Sequence, residues 1–333
     1  MCDNQVPASG SLDRWWAHYA LERYGASSPS AAAAWARGIG ETVYGVDERA
    51  NATEGGFLRE KSKAGLTATP LMHDTCDMDA HSWYDLEALA EAWTQLLQAS
   101  EELPPAALAP ESAFTFDLAN LGREVLDKRA NAIFLDLVNA STFEDLRALG
   151  TSLLQLYDDA DALLCTSPGL AARPWLDQAA DLGADLGGQK AFFSKVARAQ
   201  VTTWLPVCDD PADVEDGVCS WHTDDSSAPP LDDYANKAWG GMVRFFYGGR
   251  LQCFLDNSAS NSSTALHEPR HEQNGGGQRD WDVNVTAYYG CLDALAYAFQ
   301  QDHSNSDFPM CAAPVGDVVK VSRRLIATYG PSL

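Results

Sequence analysis

Basic side chains are scarce in this sequence: 23 Lys and Arg stand against 47 Asp and Glu over 333 residues, a formal net charge of -24. Phosphate binding needs clustered cations, so nucleic acid is not an expected partner. Long apolar runs are missing as well. No stretch approaches the roughly 18–20 consecutive apolar residues that span a bilayer as a helix, so no membrane partner is expected. Strict two-residue alternation of apolar and polar positions does not persist between turn signals, which argues against a sheet of any size. There is no G-x-S-x-G, no P-loop and no dinucleotide fingerprint, and hence no cofactor is expected. The eight cysteines, at 2, 76, 165, 208, 219, 253, 291 and 311, include no C-x-x-C. They are too few and too scattered for a disulfide scaffold or a zinc site, and no bound metal is expected.

What is present is helical periodicity. Leu12, Trp15, Trp16, Tyr19 and Ala20 recur at helical spacing before Gly25, after a start at 1–11 that is read as disordered. Ser28-Pro29 supplies an N-cap and a proline at the first helical position, with Ala32, Trp35, Ile39 and Val43 on one face. Leu86, Leu89, Ala90, Trp93, Leu96 and Leu97 form a third face, stopped by Pro104 and Pro105. A long periodic segment covers 116–138. Ser141-x-x-Glu144 has the form of a capping box for the helix that follows. Further patterns run over 174–186, 190–204, 231–255, 283–299 and 315–329. The expectation is an all-α protein of about ten helices in an irregular bundle, occupying 12–330. Residues 46–80 read as an irregular connection, and 205–230 and 257–279 as surface insertions.

The motifs that tempt a chemical reading are weak. His267-Glu-Pro-Arg-His271 satisfies H-E-x-x-H, but a zinc peptidase needs both His on one helical turn. Pro269 inside the motif and glycines after it deny that helix, so an accidental match in a solvated loop is preferred. The carboxylate pairs Asp158-Asp159, Asp224-Asp225 and Asp232-Asp233 are unspecific in so acidic a chain, and solvated faces explain most of them. Tryptophans fall mainly on apolar helix faces and read as core.

Two segments resist that bland reading. Arg198 to Pro206, with Trp204, ends a helix on an aromatic and a breaker, and Asp233-Tyr234-Ala235-Asn236-Lys237 opens the next with polar side chains around one Ala. Buried polar groups need partners, so the clustering suggests a wet cleft or an inter-domain surface. The competing reading is an Asp that simply favours a helix N-terminus. Cys208 and Cys219 lie at the ends of the first insertion and could staple it in an oxidising compartment. Four N-x-S/T sequons, at Asn51, Asn139, Asn261 and Asn284, exceed the one or so expected by chance and are candidate N-glycosylation sites of a secreted chain. Yet Met1 to Gly10 has neither the basic nor the apolar part of a secretory signal. Either the sequons are accidental or a longer protein precedes this piece.

Blocks along the chain resemble the C-terminal region of the family 89 glycoside hydrolases, the α-N-acetylglucosaminidases. They are WAHYALERYG at 16–25, AAWARGIGETVY at 33–44, Trp83-Tyr84, Phe116-Asp117-Leu118 through Arg123, Arg198 to Pro206, and DYANK at 233–237 followed by Gly241, Val243 and Tyr247. Departures are Phe116 for a usual Tyr, Gly248 to Leu251 for a Pro-Arg-Trp-like stretch, and the two insertions. The resemblance implies an all-α domain that packs on a (β/α)8 catalytic barrel, absent from this chain. That enzyme trims terminal α-linked N-acetylglucosamine, including from heparan sulfate, in the lysosome or outside the cell. It also implies that the catalytic glutamates lie in the barrel, so that no residue here is catalytic and the chain alone is inactive. Arg198, Trp204, Asp233, Tyr234 and Asn236 would then wall the sugar pocket or meet the barrel. The alternative is a free-standing helical binding or interaction protein without catalysis.

Overall fold

The computed structural model describes residues 12–43, 85–202, 237–260, 279–312 and 314–331. Among these residues the chain is all-α, with one two-stranded ladder. The helix α1 spans Leu12–Tyr24 and stops at Gly25, whose φ of 72° closes it. Ser28 caps α2, Pro29–Ala33, by accepting from the Ala31 N–H at 3.0 Å, as the Ser-Pro pair predicts. The chain then widens into π-type turns over Ala34–Val43. The remaining helices are α3 (Leu86–Ala99), α4 (Ala113–Val138), α5 (Phe143–Leu164), α6 (Ala172–Asp185), α7 (Lys190–Gln200), α8 (Gly248–Asp256), α9 (Val285–Gln301) and α10 (Val318–Tyr329).

The 26-residue α4 is the spine, about 39 Å long at 1.5 Å per residue. It packs along α5, with α3 and α10 on its flanks and α1 against its first turns. Its apolar positions Leu118, Leu121, Val125, Leu126 and Phe134 are buried, which is why the periodic segment holds a helix longer than its mixed propensity would support alone. At Gly122 the three helices come closest: an added Cβ would lie 2.5 Å from the buried Trp93 ring of α3 and 2.7 Å from Leu163 of α5. Polar ties hold α1 to the spine and α10 to α5 beside it. Tyr24 Oη and Arg23 Nη2 of α1 donate to Asp117 at 2.9 and 2.7 Å. From α10, Arg324 and Tyr329 donate to the two oxygens of Asp159 at 2.6 and 3.0 Å.

Several boundaries differ from the sequence expectation, each for a local reason. The cap of α5 is Thr142 rather than Ser141: its hydroxyl accepts from the Asp145 N–H at 3.0 Å and donates to the Asp145 carboxylate at 2.6 Å. Asp280 settles the frame, because its carboxylate takes the Phe143 N–H at 2.6 Å and its own N–H donates to Ser141 O at 3.0 Å. The helix expected over 190–204 ends at Gln200. Of the one expected over 231–255, the described residues start at Lys237, and the chain turns at Gly240–Gly241 before a π turn Val243–Tyr247 leads into α8. Within 257–279, the strand β1 (Ser258–Ser260) pairs antiparallel with β2 (Trp281–Val283), so the described edge of that insertion is a short ladder rather than irregular chain.

Among the described residues two bridges join cysteines that spacing left unrelated, Cys165–Cys311 and Cys253–Cys291, each with Cα atoms 5.8 Å apart.

Candidate functional site at two buried stems

The two segments singled out by their polar clustering enter the described structure through their stems, Arg198–Thr202 and Lys237–Tyr247. Arg198 lies on the inner face of α7 beside Ser194, Ala197 and Ala199, and its side chain is fully buried at 0% exposure. A guanidinium placed there must find oxygen or aromatic partners. It donates to Phe299 O at 3.2 Å and to Asn305 Oδ1, and it lies 4.8 Å from the centroid of the Phe299 ring. Its Nε has no hydrogen-bond partner. Burial lowers its pKa to about 10, against the opposing pull of the Asp302 charge.

Asp302 closes the end of α9. Burial works against its ionisation, but the N–H groups of Phe308 and Ser306, each at 2.9 Å, and the Ser304 hydroxyl at 3.1 Å outweigh it and hold its carboxyl below the usual range. Asn305 adopts a φ of 54° to complete this turn. An open depression of about 390 Å³ lies over it, lined by Gln301, His303, Ser304 and Asp307 among others. Thr202 finishes the first stem: its hydroxyl donates to Arg198 O at 2.7 Å and accepts from Gln300 Nε2 at 3.3 Å.

The second stem is stitched to the far end of α5. Gly240 donates to Leu170 O at 2.7 Å and accepts from the Ala172 N–H at 3.1 Å, and the Trp239 ring sits 5.6 Å from that of Trp175. A Cβ on Gly240 would meet both sulfurs of the Cys165–Cys311 bridge, at 2.8 and 3.1 Å. Gly241 has a φ of 91°, a conformation other residues resist. That turn aims the Gly241 and Arg244 N–H groups at one oxygen, Asp161 Oδ1, at 2.6 and 3.1 Å. Burial raises the Asp161 carboxyl to about 6 in spite of these two donors. The Lys237 N–H reaches Tyr247 Oη at 3.2 Å.

In chemical terms the stems are a frame. Asp161 and Asp302 are buried and each accepts two backbone N–H groups, so they hold turns in place. The Asp158-Asp159 pair diverges: Asp158 meets Arg244 at 3.1 Å, while Asp159 is committed to α10. Among the described residues no group of three or more His, Cys, Asp or Glu could hold a metal ion.

Of the residues proposed from sequence, Arg198, Asn139 and Asn284 are in view. Arg198 is a buried support. Asn139 is exposed at the C-terminal end of α4, and Asn284 is exposed as the N-cap of α9. Trp204, Asp233, Tyr234, Asn236, Cys208, Cys219, Asn51, Asn261 and the His267–His271 motif lie outside the described residues. Asp161 escaped the sequence reading, and Gly241 entered it as part of the family resemblance without its role as a turn. The only available signal was the Gly-Gly step shortly after the DYANK motif.

Comparison with known proteins gives this frame a family. The family model described as alpha-N-acetylglucosaminidase (NAGLU) C-terminal domain matches residues 15–328. A human protein named alpha-N-acetylglucosaminidase is 25% identical over 324 residues, which cover 96% of this chain and 36% of the human one. A solved structure of a family 89 glycoside hydrolase from Clostridium perfringens, in complex with 2-acetamido-1,2-dideoxynojirmycin, superposes with a TM-score of 0.63 at 19% identity. That match covers 96% of this chain and 32% of the other, so the chain spans about a third of the length of each relative. The same helical architecture is thus shared across most of the chain, and the chain belongs to the α-N-acetylglucosaminidase C-terminal domain family.

Proposed function

We propose that the chain serves as the helical C-terminal part of an α-N-acetylglucosaminidase, packed on a (β/α)8 domain that carries the catalytic carboxyl pair. Such an enzyme removes terminal α-linked N-acetylglucosamine, with heparan sulfate type glycans as the substrate class and the lysosome or the cell exterior as the setting. The observation that carries this reading is the family match over residues 15–328 in a chain that spans only about a third of its relatives. A retaining glycosidase needs two carboxyl groups about 5–5.5 Å apart beside the glycosidic bond. The carboxylates of the two stems are occupied by backbone donors, which favours placing that pair outside this domain.

In this reading the stems hold the segment between them as a wall of the sugar pocket. Trp204 supplies an apolar face, Asp233, Tyr234 and Asn236 supply hydrogen-bonding groups, and Arg198 braces the wall from behind. We assign the outer face of α1 to the contact with the catalytic domain. Leu12 and Trp15 are 44% and 50% exposed there, and Trp15 stacks on Tyr19 with centroids 5.6 Å apart. Such a patch is costly to leave in water.

The test compares Trp204→Phe and Asn236→Ala in the full-length enzyme, for turnover of an aryl α-N-acetylglucosaminide and for thermal midpoint. A fall in turnover of tenfold or more with an unchanged midpoint supports the wall. Unchanged turnover in both variants contradicts the wall, and absence of hydrolysis by the full-length protein itself favours a helical binding protein.

A further inference from the structure

Two of the four sequons lie within the described residues, and the fold brings them to one corner. Asn139 follows the last turn of α4, and the next residues are clamped to the start of β2: Trp281 Nε1 donates to Ala140 O at 2.7 Å, and the Asp280 N–H donates to Ser141 O at 3.0 Å. Three residues beyond Trp281, the Asn284 N–H donates to Asn257 O at 2.9 Å and the side chain begins α9. Both asparagines are exposed, and so are the sequon hydroxyls Ser141 and Thr286. Each amide also has a spare Nδ2 hydrogen in its present role. Asn284 caps α9 through Oδ1, which accepts from the Ala287 N–H at 3.0 Å, and so the cap does not use Nδ2 at all. Asn139 spends one Nδ2 hydrogen on Leu135 O at 2.9 Å and keeps the other.

We propose that Asn139 and Asn284 both carry N-linked glycans, and that the corner they share is the end of the domain left in solvent when the catalytic domain is docked. In the transfer, Nδ2 forms a bond to C1 of the reducing-end sugar of a lipid-diphosphate-linked oligosaccharide. The C1–O bond to the diphosphate breaks, the lipid diphosphate leaves with the electron pair, and the Nδ2 proton is released to a base. The bridges Cys165–Cys311 and Cys253–Cys291 place the chain in the kind of oxidising compartment where this transfer occurs.

The spine α4 measures the separation between the two ends. Asp117, which receives Arg23 and Tyr24 of α1, precedes Asn139 by 22 residues, or about 33 Å of helix. A branched glycan at the far corner therefore leaves the exposed aromatic face of α1 uncovered. The occupancy of the two sites stands independently of the proposed catalytic role, and only the docking half rests on it.

The experiment maps peptides of the full-length protein purified from its source after enzymatic deglycosylation in heavy-oxygen water, which marks each formerly glycosylated Asn as a labelled Asp. Label at both positions is the expected result, and an unlabelled Asn139 or Asn284 overturns the assignment at that site. The variants Ser141→Ala and Thr286→Ala remove each sequon while leaving both asparagine side chains in place. Each should lower the mass by one glycan without changing turnover. A tenfold loss of turnover from either variant, with the thermal midpoint unchanged, would place the corner at the active face and overturn the docking half. Loss of the pocket-wall reading through Trp204 and Asn236 would leave the glycan map as it is.

Discussion

Asp127 is buried on α4, and its Oδ1 has no hydrogen-bond partner. Burial, helped by the nearby Glu124 charge, raises its carboxyl to about 6, and burial raises Asp161 to a similar value. Both groups therefore bind a proton more tightly in the folded chain than in the unfolded one, where a carboxyl titrates near 4. Their contribution to stability is full when they are protonated, and it is lost as pH rises from about 4 through about 6. Asp302 and Glu102 are shifted the opposite way, so they favour the fold above their own lower range and withdraw that support only below about pH 4. The thermal midpoint should accordingly fall between about pH 4.5 and 6.5. Asp127→Asn should raise the midpoint at pH 7 and flatten that fall. A midpoint that climbs over this window, or a variant that leaves its slope unchanged, contradicts the assignment. Arg198 shows how far residue-scale reasoning reached from sequence: the polar clustering of its segment announced a need for partners. Which partners, the carbonyl of Phe299 and the side chain of Asn305, depended on α9 arriving from about 100 positions along the chain.

Helices were legible because each buries one periodic face against its neighbours, and periodicity survives in the sequence whatever those neighbours are. Their ends were less so. Ser141 and Thr142 are both competent caps, as Glu144 and Asp145 are both competent partners, and the choice fell to Asp280, which is distant in sequence. The same holds for the second stem, where apolar spacing suggested continuous helix over 231–255. A tertiary demand prevailed, because the turn must present the Gly240 N–H to Leu170 O and the Gly241 and Arg244 N–H groups to Asp161. Removal of that acceptor should therefore be felt at the element scale. Asp161→Ala leaves two buried N–H groups unmet and should cost about 2 kcal/mol or more in a denaturant titration. Asp161→Asn retains an oxygen for both donors and should cost clearly less at neutral pH. Equal losses from the two variants would show that the hydrogen bonds do not anchor the stem.

Across the whole molecule, covalent ties join elements that sequence spacing left unrelated. The Cys165–Cys311 bridge links the end of α5 to the segment before α10 over a separation of 146 residues, and Cys253–Cys291 links α8 to α9 over 38. Loop-closure entropy predicts a loss of about 4 kcal/mol when the shorter loop is opened and about 5 kcal/mol for the longer one. Cys165→Ser and Cys253→Ser, each compared with the unmodified protein in denaturant, should show that order. Their disulfide maps would also report whether Cys208 pairs with Cys219, as their positions at the ends of one insertion suggest. The central claim is that this helical domain supports catalysis performed by carboxyl groups elsewhere. The most direct measurement is hydrolysis of an aryl α-N-acetylglucosaminide by the 333-residue chain and, in parallel, by the full-length enzyme. The account predicts turnover from the full-length enzyme and none above background from the 333-residue chain. Hydrolysis by that chain alone would contradict it.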